Sequence, residues 1–454
     1  VTRLVIVGFG VTGRATARAM LAAGWSVAVV DDRRTDGGAA AAAEIGVELV
    51  VGSAPDHLAG LIRTADLVVP SPGVPVGHPV FELAARYKIE VVSEIELAAR
   101  LLEDRPPPRP RLVAVTGTNG KTTVTIQVRR ALECSGWSAV AAGNIGLPLI
   151  EAVSAASRPD VVVAEVSSFQ LQFTRRFHPA VSGWLNLAAD HLDWHPTYAH
   201  YEAAKARIWA NQSSGDTVVV NADDKEVMAR AVSRPVGSRL VTFSTRTRAD
   251  WWQRDGVLIG PDGVALLAVD ELPRSLPHDR ANALAAAAVA TAAGATLPGL
   301  RAALRETPPG PHRIEWIGVE GGISWYDDSK ATTPASVRAA TAGFDSVVLI
   351  AGGRNKGLDL RPLASTAPPV RAVIAIGEAA GEVAAAFGAT TAAVTTARSM
   401  AEAVAAARAV ARAGDAVILS PGCTSFDWYR SYAERGADYT DLVLQMLEKE
   451  RDRC

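Results

Sequence analysis

The sequence predicts an α/β protein in three domains, and three observations carry that prediction. Short apolar, β-branched runs alternate along the chain with segments of helical spacing, as buried parallel strands do with their crossover helices. Two of these runs feed glycine-rich loops, Gly8-Phe-Gly-Val-Thr-Gly13 and Gly117-Thr-Asn-Gly-Lys-Thr-Thr123. Two stiff Pro-rich stretches, Asp104-Arg-Pro-Pro-Pro-Arg-Pro-Arg111 and Thr307-Pro-Pro-Gly-Pro-His-Arg313, punctuate the chain. The expected parts are a Rossmann-like N-terminal domain (1–105), a central P-loop ATPase-type α/β domain (106–310) and a C-terminal Rossmann-like α/β domain (311–454).

Composition narrows the function classes. The chain is 48% hydrophobic and 21% charged, an ordinary globular balance. A net charge of −2 argues against a general nucleic-acid binder, and no nucleic-acid partner is expected. Cys134, Cys423 and Cys454 are far apart and unpatterned, so no disulfide framework or cysteine zinc site follows and a reducing cytoplasm is expected. No leader pattern opens the sequence, and the Ala-rich run after Asn282 is too short and too weakly apolar for a membrane span.

In the first domain, residues 4–7 read as a strand, followed by G-x-G-x-x-G at Gly8 to Gly13 and a helix from Arg14. A second strand, 27–30, ends at Asp31 and Asp32, where a ribose-binding acid belongs. A third, 67–69, ends in Pro70-Ser-Pro-Gly73. Such a loop suits a dinucleotide, another nucleotide or sugar nucleotide, or a purely structural turn; the fold alone does not choose.

The second domain opens with residues 112–115 as a strand and Gly117 to Gly120 as a tight loop, and Lys121, Thr122 and Thr123 start a helix. Strand, glycine loop and helix N-terminus build an anion site, with Lys121 as a full charge and the Thr122 hydroxyl placed for Mg²⁺. The common pattern has glycine where this chain has Val115, so the loop is short. Asn144 sits in a polar turn after a strand, and Glu165 ends another strand beside the phosphate loop, well placed for Mg²⁺. Residues 181–187 read as a strand leading to Asp190-His-Leu-Asp-Trp-His195. The spacing is not that of a zinc-binding helical pair, so His191 is expected to serve a nucleotide-bound metal or substrate, and His195 to be a loop residue. On the next helix Tyr201, Lys205 and Trp209 share one face, which places Lys205 between two aromatics and partly buried. Hairpins fill 216–272, and an Ala-rich helix carries Asn282.

The third domain begins with two short strands, 314–319 and 323–326, then Asp327-Asp-Ser-Lys-Ala-Thr-Thr-Pro334 and a helix. Strands at 347–353, 372–377 and 416–420 alternate with Ala-rich helices. Their ends carry Arg354-Asn-Lys356 and Ser420-Pro-Gly-Cys-Thr-Ser-Phe426, the side on which such sheets bind ligands.

Taken together and in this order, these stretches resemble the Mur ligases, the ATP-dependent amide-forming enzymes of bacterial peptidoglycan precursor synthesis. The resemblance spans nearly the whole chain and explains the short phosphate loop. Glu165-Val-Ser-Ser-Phe-Gln-Leu171 resembles the branch that adds glutamate. It implies joining of D-glutamate to UDP-N-acetylmuramoyl-L-alanine through an acyl phosphate, with ATP and two Mg²⁺ ions. L-Glutamate and a nicotinamide-dependent oxidoreductase are the alternatives. The resemblance assigns Lys121, Glu165, His191 and Lys205 to catalysis, and Thr122, Glu165, His191 and a carbamylated Lys205 to the metals. ATP falls to Gly117, Thr118, Asn119, Gly120, Lys121, Thr122, Thr123, Val124, Asn282, Arg313, Asp328 and Lys330. The UDP-muramoyl substrate falls to Val11, Thr12, Asp31, Asp32, Arg33, Ser71, Gly73 and Asn144, and glutamate to Thr332, Lys356, Ser425 and Phe426. A monomer that closes about its Pro-rich linkers is expected.

Overall fold

The computed structural model describes residues 2–451 except 34, 53 and 391; Cys454 lies outside the described residues. It forms two compact units. One runs through Leu187 and includes Trp194–Leu272 and Ala281–Thr307; the other holds Ala188–Asp193, Pro273–Arg280 and the chain from Pro308.

The first unit contains two sheets. The N-terminal sheet has five parallel strands in the spatial order Glu48–Val51, Ser26–Asp31, Arg3–Val7, Leu67–Pro70, Glu90–Val91. The order reverses at Arg3–Val7, so the G-x-G-x-x-G loop opens at the crevice where such sheets bind ligands. The spacing of that loop is steric: a Cβ on Gly13 would lie 2.1 Å from the Gly8 carbonyl oxygen. The second sheet has nine strands, with Arg111–Thr116 flanked by Val161–Glu165 and Val181–Trp184. At its far end Trp251–Arg254, Val257–Ile259 and Ala265–Ala268 form the antiparallel hairpins that turn residues predict. Helix Pro277–Ala293 is Ala-rich because it lies tight against this sheet: Ala283 to Ala290 are all buried, and a Cβ on Gly183 would meet Val289 at 2.9 Å. One buried apolar cluster runs from Ile6 and Val69 through Ile95 to Val162 and Trp184, uniting both sheets.

Helix Glu94–Asp104 lies in this shared core and carries two buried acids. Glu96 accepts the backbone N–H groups of Arg175, Arg176 and Phe177 at 2.8–3.1 Å and pairs with Arg100. Glu94 accepts from the Ile150 N–H at 2.5 Å, while its other oxygen is buried without a hydrogen-bond partner.

The second unit is built on six strands ordered Glu315–Glu320, Ile323–Asp327, Ala416–Gly422, Val347–Gly352, Val370–Ile376, Ala393–Ala397. The first pair is antiparallel and the rest are parallel. Apolar clusters fill both faces. The strand Ala393–Ala397 escaped the sequence reading because it is a half-polar edge strand without a buried run. The predicted strand 181–187 stops at Trp184, because Asn186 leaves the ladder to hold the phosphate loop.

Candidate active site

The phosphate loop forms as its sequence requires. Strand Arg111–Thr116 runs into Gly117–Gly120 and helix Lys121–Glu133 follows. Gly120 adopts φ +84°, and a Cβ there would lie 2.4 Å from the Asn282 Oδ1, so glycine is needed on two counts. That contact brings Asn282 to the loop, where the sequence pattern alone left it an ordinary helix residue.

Asn186 clamps the loop from the side. Its Oδ1 accepts from the N–H groups of Thr118 and Asn119 at 3.0 and 2.8 Å, and its Nδ2 donates to the Asn119 carbonyl at 3.0 Å. The sequence reading did not single it out; its signal is a lone amide at the end of an apolar run. Because Thr118 and Asn119 spend their amides on Asn186, the anion site belongs to the amides opening the Lys121–Glu133 helix, which no intrahelical carbonyl satisfies. The Lys121 ammonium donates to the carbonyls of Gly117 and Thr118 at 3.0 and 2.9 Å.

Lys205 is 2% exposed and lies beneath the same loop. Its Nζ donates to the Gly117 carbonyl at 2.8 Å and sits 4.7 Å from the Tyr201 ring centre. The Tyr201 hydroxyl shares a hydrogen bond with the Thr118 Oγ1 at 3.1 Å. The second expected aromatic, Trp209, packs on Trp184 instead. Glu165 ends its strand beside the loop strand, opposite Val115 in register. Its Oε1 accepts from the Asn144 Nδ2 at 3.0 Å, and its Oε2 is buried with no hydrogen-bond partner. An acceptor left bare beside a phosphate loop fits a cation. His195 is a loop residue as expected, and it is fully buried, bonded to the Ser168 hydroxyl at 2.9 Å and stacked on Phe169.

In the N-terminal sheet the Asp31 carboxylate accepts from the N–H groups of Phe9 at 2.7 Å and Arg33 at 3.0 Å, tying the glycine loop to the strand end. Asp32 and Arg33 are exposed, and Asp32 meets the His78 Nε2 at 3.2 Å. The Ser71 Oγ donates to the Gly8 carbonyl at 2.9 Å; Val11 and Gly73 are exposed, and Thr12 is half-buried.

The second unit gathers its own candidates at the carboxyl ends of its strands. Asp328 is buried and accepts from the Ser420 Oγ at 2.7 Å; burial raises its pKa to about 7. Lys330 lies 4.8 Å from the Tyr432 ring centre. Arg313 has its carbonyl held by Arg274. His191, at φ +53°, meets Asp190 at 3.3 Å, and Asp190 pairs with the Lys356 Nζ at 2.6 Å. Ser425 is buried with its Oγ unpartnered, Thr332 is half-buried and Phe426 is exposed.

Comparison with known proteins covers almost all of this framework. Residues 2–93 match the Mur ligase MurD-like N-terminal domain, 115–290 the Mur ligase middle domain, and 312–423 the Mur ligase glutamate ligase domain. The chain is 43% identical over 444 residues to the UDP-N-acetylmuramoylalanine--D-glutamate ligase of Frankia casuarinae, covering 95% of this chain and 92% of that one. It is 38% identical over 452 residues to the enzyme of the same name from Shouchella clausii, covering 98% and 97%. Among solved structures it resembles in fold a pseudomurein peptide ligase type C from Methanothermus fervidus, at TM-score 0.61, 19% identity and 98% and 100% coverage. The UDP-N-acetylmuramate-alanine ligase of Thermotoga maritima gives TM-score 0.60 at 18% identity, with 98% and 100% coverage.

Proposed function

The chain belongs to the Mur ligase family, and from that premise we propose that it adds D-glutamate to UDP-N-acetylmuramoyl-L-alanine at the expense of ATP in peptidoglycan synthesis. The observation that supports the site assignment best is Lys205, buried under the phosphate loop and bonded to the Gly117 carbonyl.

The chemistry follows from what an amine cannot do. It does not displace hydroxide from a carboxylate in water at a useful rate, so phosphate is installed as the leaving group. The alanyl carboxylate of the nucleotide sugar attacks the γ-phosphorus of ATP, ADP departs and an acyl phosphate forms. The glutamate amine attacks the acyl carbon, loses a proton, and phosphate leaves from the tetrahedral adduct. The protein's part is positioning and neutralisation of charge. The helix that Lys121 opens presents its amides to the phosphates, with the Lys121 ammonium released from its carbonyls to join them. Thr122 and the bare Glu165 Oε2 would hold Mg²⁺, which when bound offsets the charge of the triphosphate. Asn144 orients Glu165.

Carbamylation of Lys205 is part of this reading. Lys205 is buried beneath the phosphate loop, and carbamylation would turn it from a cation into a carboxylate able to help hold a metal. His191 as metal ligand, Asp328 on the ribose and Lys356 on a glutamate carboxylate are carried from the family pattern, as are the nucleotide-sugar residues and a monomeric state.

Purified protein should release phosphate only when ATP, UDP-N-acetylmuramoyl-L-alanine and D-glutamate are all present. Lys121→Ala should abolish release. Lys205→Ala should do so too, with partial recovery in millimolar acetate or formate. Equal turnover with L-glutamate would overturn the stereochemical assignment, and turnover without any amino acid would overturn the ligase reading.

A further inference from the structure

His195 is the buried hub of the segment that carries Lys205, and no step of the chemistry above uses it. Both of its ring nitrogens are engaged. Nε2 shares a hydrogen bond with the Ser168 Oγ at 2.9 Å, and Nδ1 meets the His200 Nδ1 at 3.0 Å. Two imidazoles make that second contact only when one Nδ1 carries the proton and the other does not. The ring stacks on Phe169 with centroids 5.7 Å apart, meets Trp194 edge-on at 4.9 Å and lies 5.3 Å from Tyr201.

Each contact ties down something the reaction needs. Ser168 opens the short helix Ser168–Leu171, three residues after Glu165, and a capping box between Ser167 and Gln170 fixes that turn. His200 and Tyr201 stand at the start of helix Tyr198–Ala206, about one turn before Lys205. The Tyr201 ring that packs on His195 also carries the Lys205 ammonium and bonds the phosphate loop at Thr118. Trp194 donates its indole N–H to the Val74 carbonyl at 3.1 Å, which ties the same stretch to the loop after strand Leu67–Pro70.

We propose that His195 is a positioning residue for Lys205: it braces helix Tyr198–Ala206 against the Glu165 segment, so that the lysine stays under the Gly117 carbonyl. This rests on the ligase reading above, in which Lys205 and Glu165 serve one reaction centre. The two helices that His195 joins have four and nine residues, and helices that short are held by their tertiary contacts. An apolar residue would fill the same space. Only a histidine there sends two directed hydrogen bonds out of one rigid ring.

The test labels the lysines of the full chain by reductive methylation in bicarbonate-free buffer and reads each site by peptide mass spectrometry. Phosphate release with ATP, UDP-N-acetylmuramoyl-L-alanine and D-glutamate is measured alongside. Wild type is compared with His195→Phe, which keeps a ring on Phe169 and drops both hydrogen bonds, and with His200→Ala, a change at an exposed position. Both variants should label Lys205 about tenfold faster relative to the exposed Lys225, the effect of leaving a buried polar group unpaired. Lys330, in the second unit, should keep its wild-type rate, which separates a loosened helix from a loosened protein. In the same variants kcat should fall by about tenfold, with the KM for D-glutamate changed less than about threefold. Unchanged Lys205 labelling in both variants would overturn the proposal, as would a change in labelling or in kcat without the other. Should His195→Phe fail to fold, His200→Ala decides alone. A wild type that releases no phosphate would sink the ligase reading, and Lys205 labelling would still decide whether His195 braces the helix.

Discussion

Glu94 shows how one side chain can carry a pH dependence of its own. One oxygen caps the Ile150 N–H, the other is bare, and burial raises its pKa from 4.5 to about 7. The unfolded chain ionises first, so the folded state loses relative stability as pH rises from about 4.5 to 7, and the loss levels off above that. At pH 8 the penalty is on the order of 3–4 kcal/mol, from ~1.4 kcal/mol per pKa unit. Glu94→Gln keeps the cap and removes the charge. Thermal melts should show the mutant gaining on wild type between pH 5 and pH 8, and a constant difference across that range would refute the account. Asp328 has the same raised value for the same reason. If its ionised carboxylate accepts from the ribose, nucleotide affinity should rise as pH climbs through 7, and Asp328→Asn should flatten that rise in a fluorescent-ATP titration.

Among the elements, the phosphate loop and the segment 175–177 each depend on a single residue outside their own sequence. Asn186 supplies three side-chain hydrogen bonds to the loop. Asn186→Ala should raise the KM for ATP by about tenfold or more, since each buried donor left unmade costs ~1–3 kcal/mol. Initial rates at varied ATP would check this, and an unaltered KM would show that the loop keeps its shape alone. Glu96 gathers three consecutive backbone N–H groups near Phe177. Glu96→Ala should lower stability by about 2 kcal/mol or more, since the Phe177 N–H is buried and those of Arg175 and Arg176 are partly buried. Urea unfolding followed by tryptophan fluorescence measures it, and a loss below about 1 kcal/mol would mean that water replaces the carboxylate.

Across the molecule, what the sequence revealed and what it hid divide along a physical line. Parallel strands buried on both faces leave continuous β-branched runs, so residues 4–7, 112–115 and 347–353 were legible, and the glycine loops announced their own geometry. The short phosphate loop, Lys205 and Glu165 were readable because their residue types are confined by chemistry. Asn186 and Glu96 were not, because each acts on a segment distant in sequence through hydrogen bonds that leave no period in the chain. His195 lies in a loop, as its place beside Pro196 predicts, but nothing in the sequence shows that Ser168 and Phe169 enclose it.

In the phosphate loop the oxygen of Gly117 is shared by two lysines, Lys121 and Lys205. That oxygen works as a tether for both, keeping the cradle drawn in on itself. Anything entering must offer more negative charge than a peptide dipole to draw Lys121 away, so sparsely charged anions should pass by and a polyphosphate should be gripped. The enzyme would then sort its fuel by charge density before shape is consulted at all.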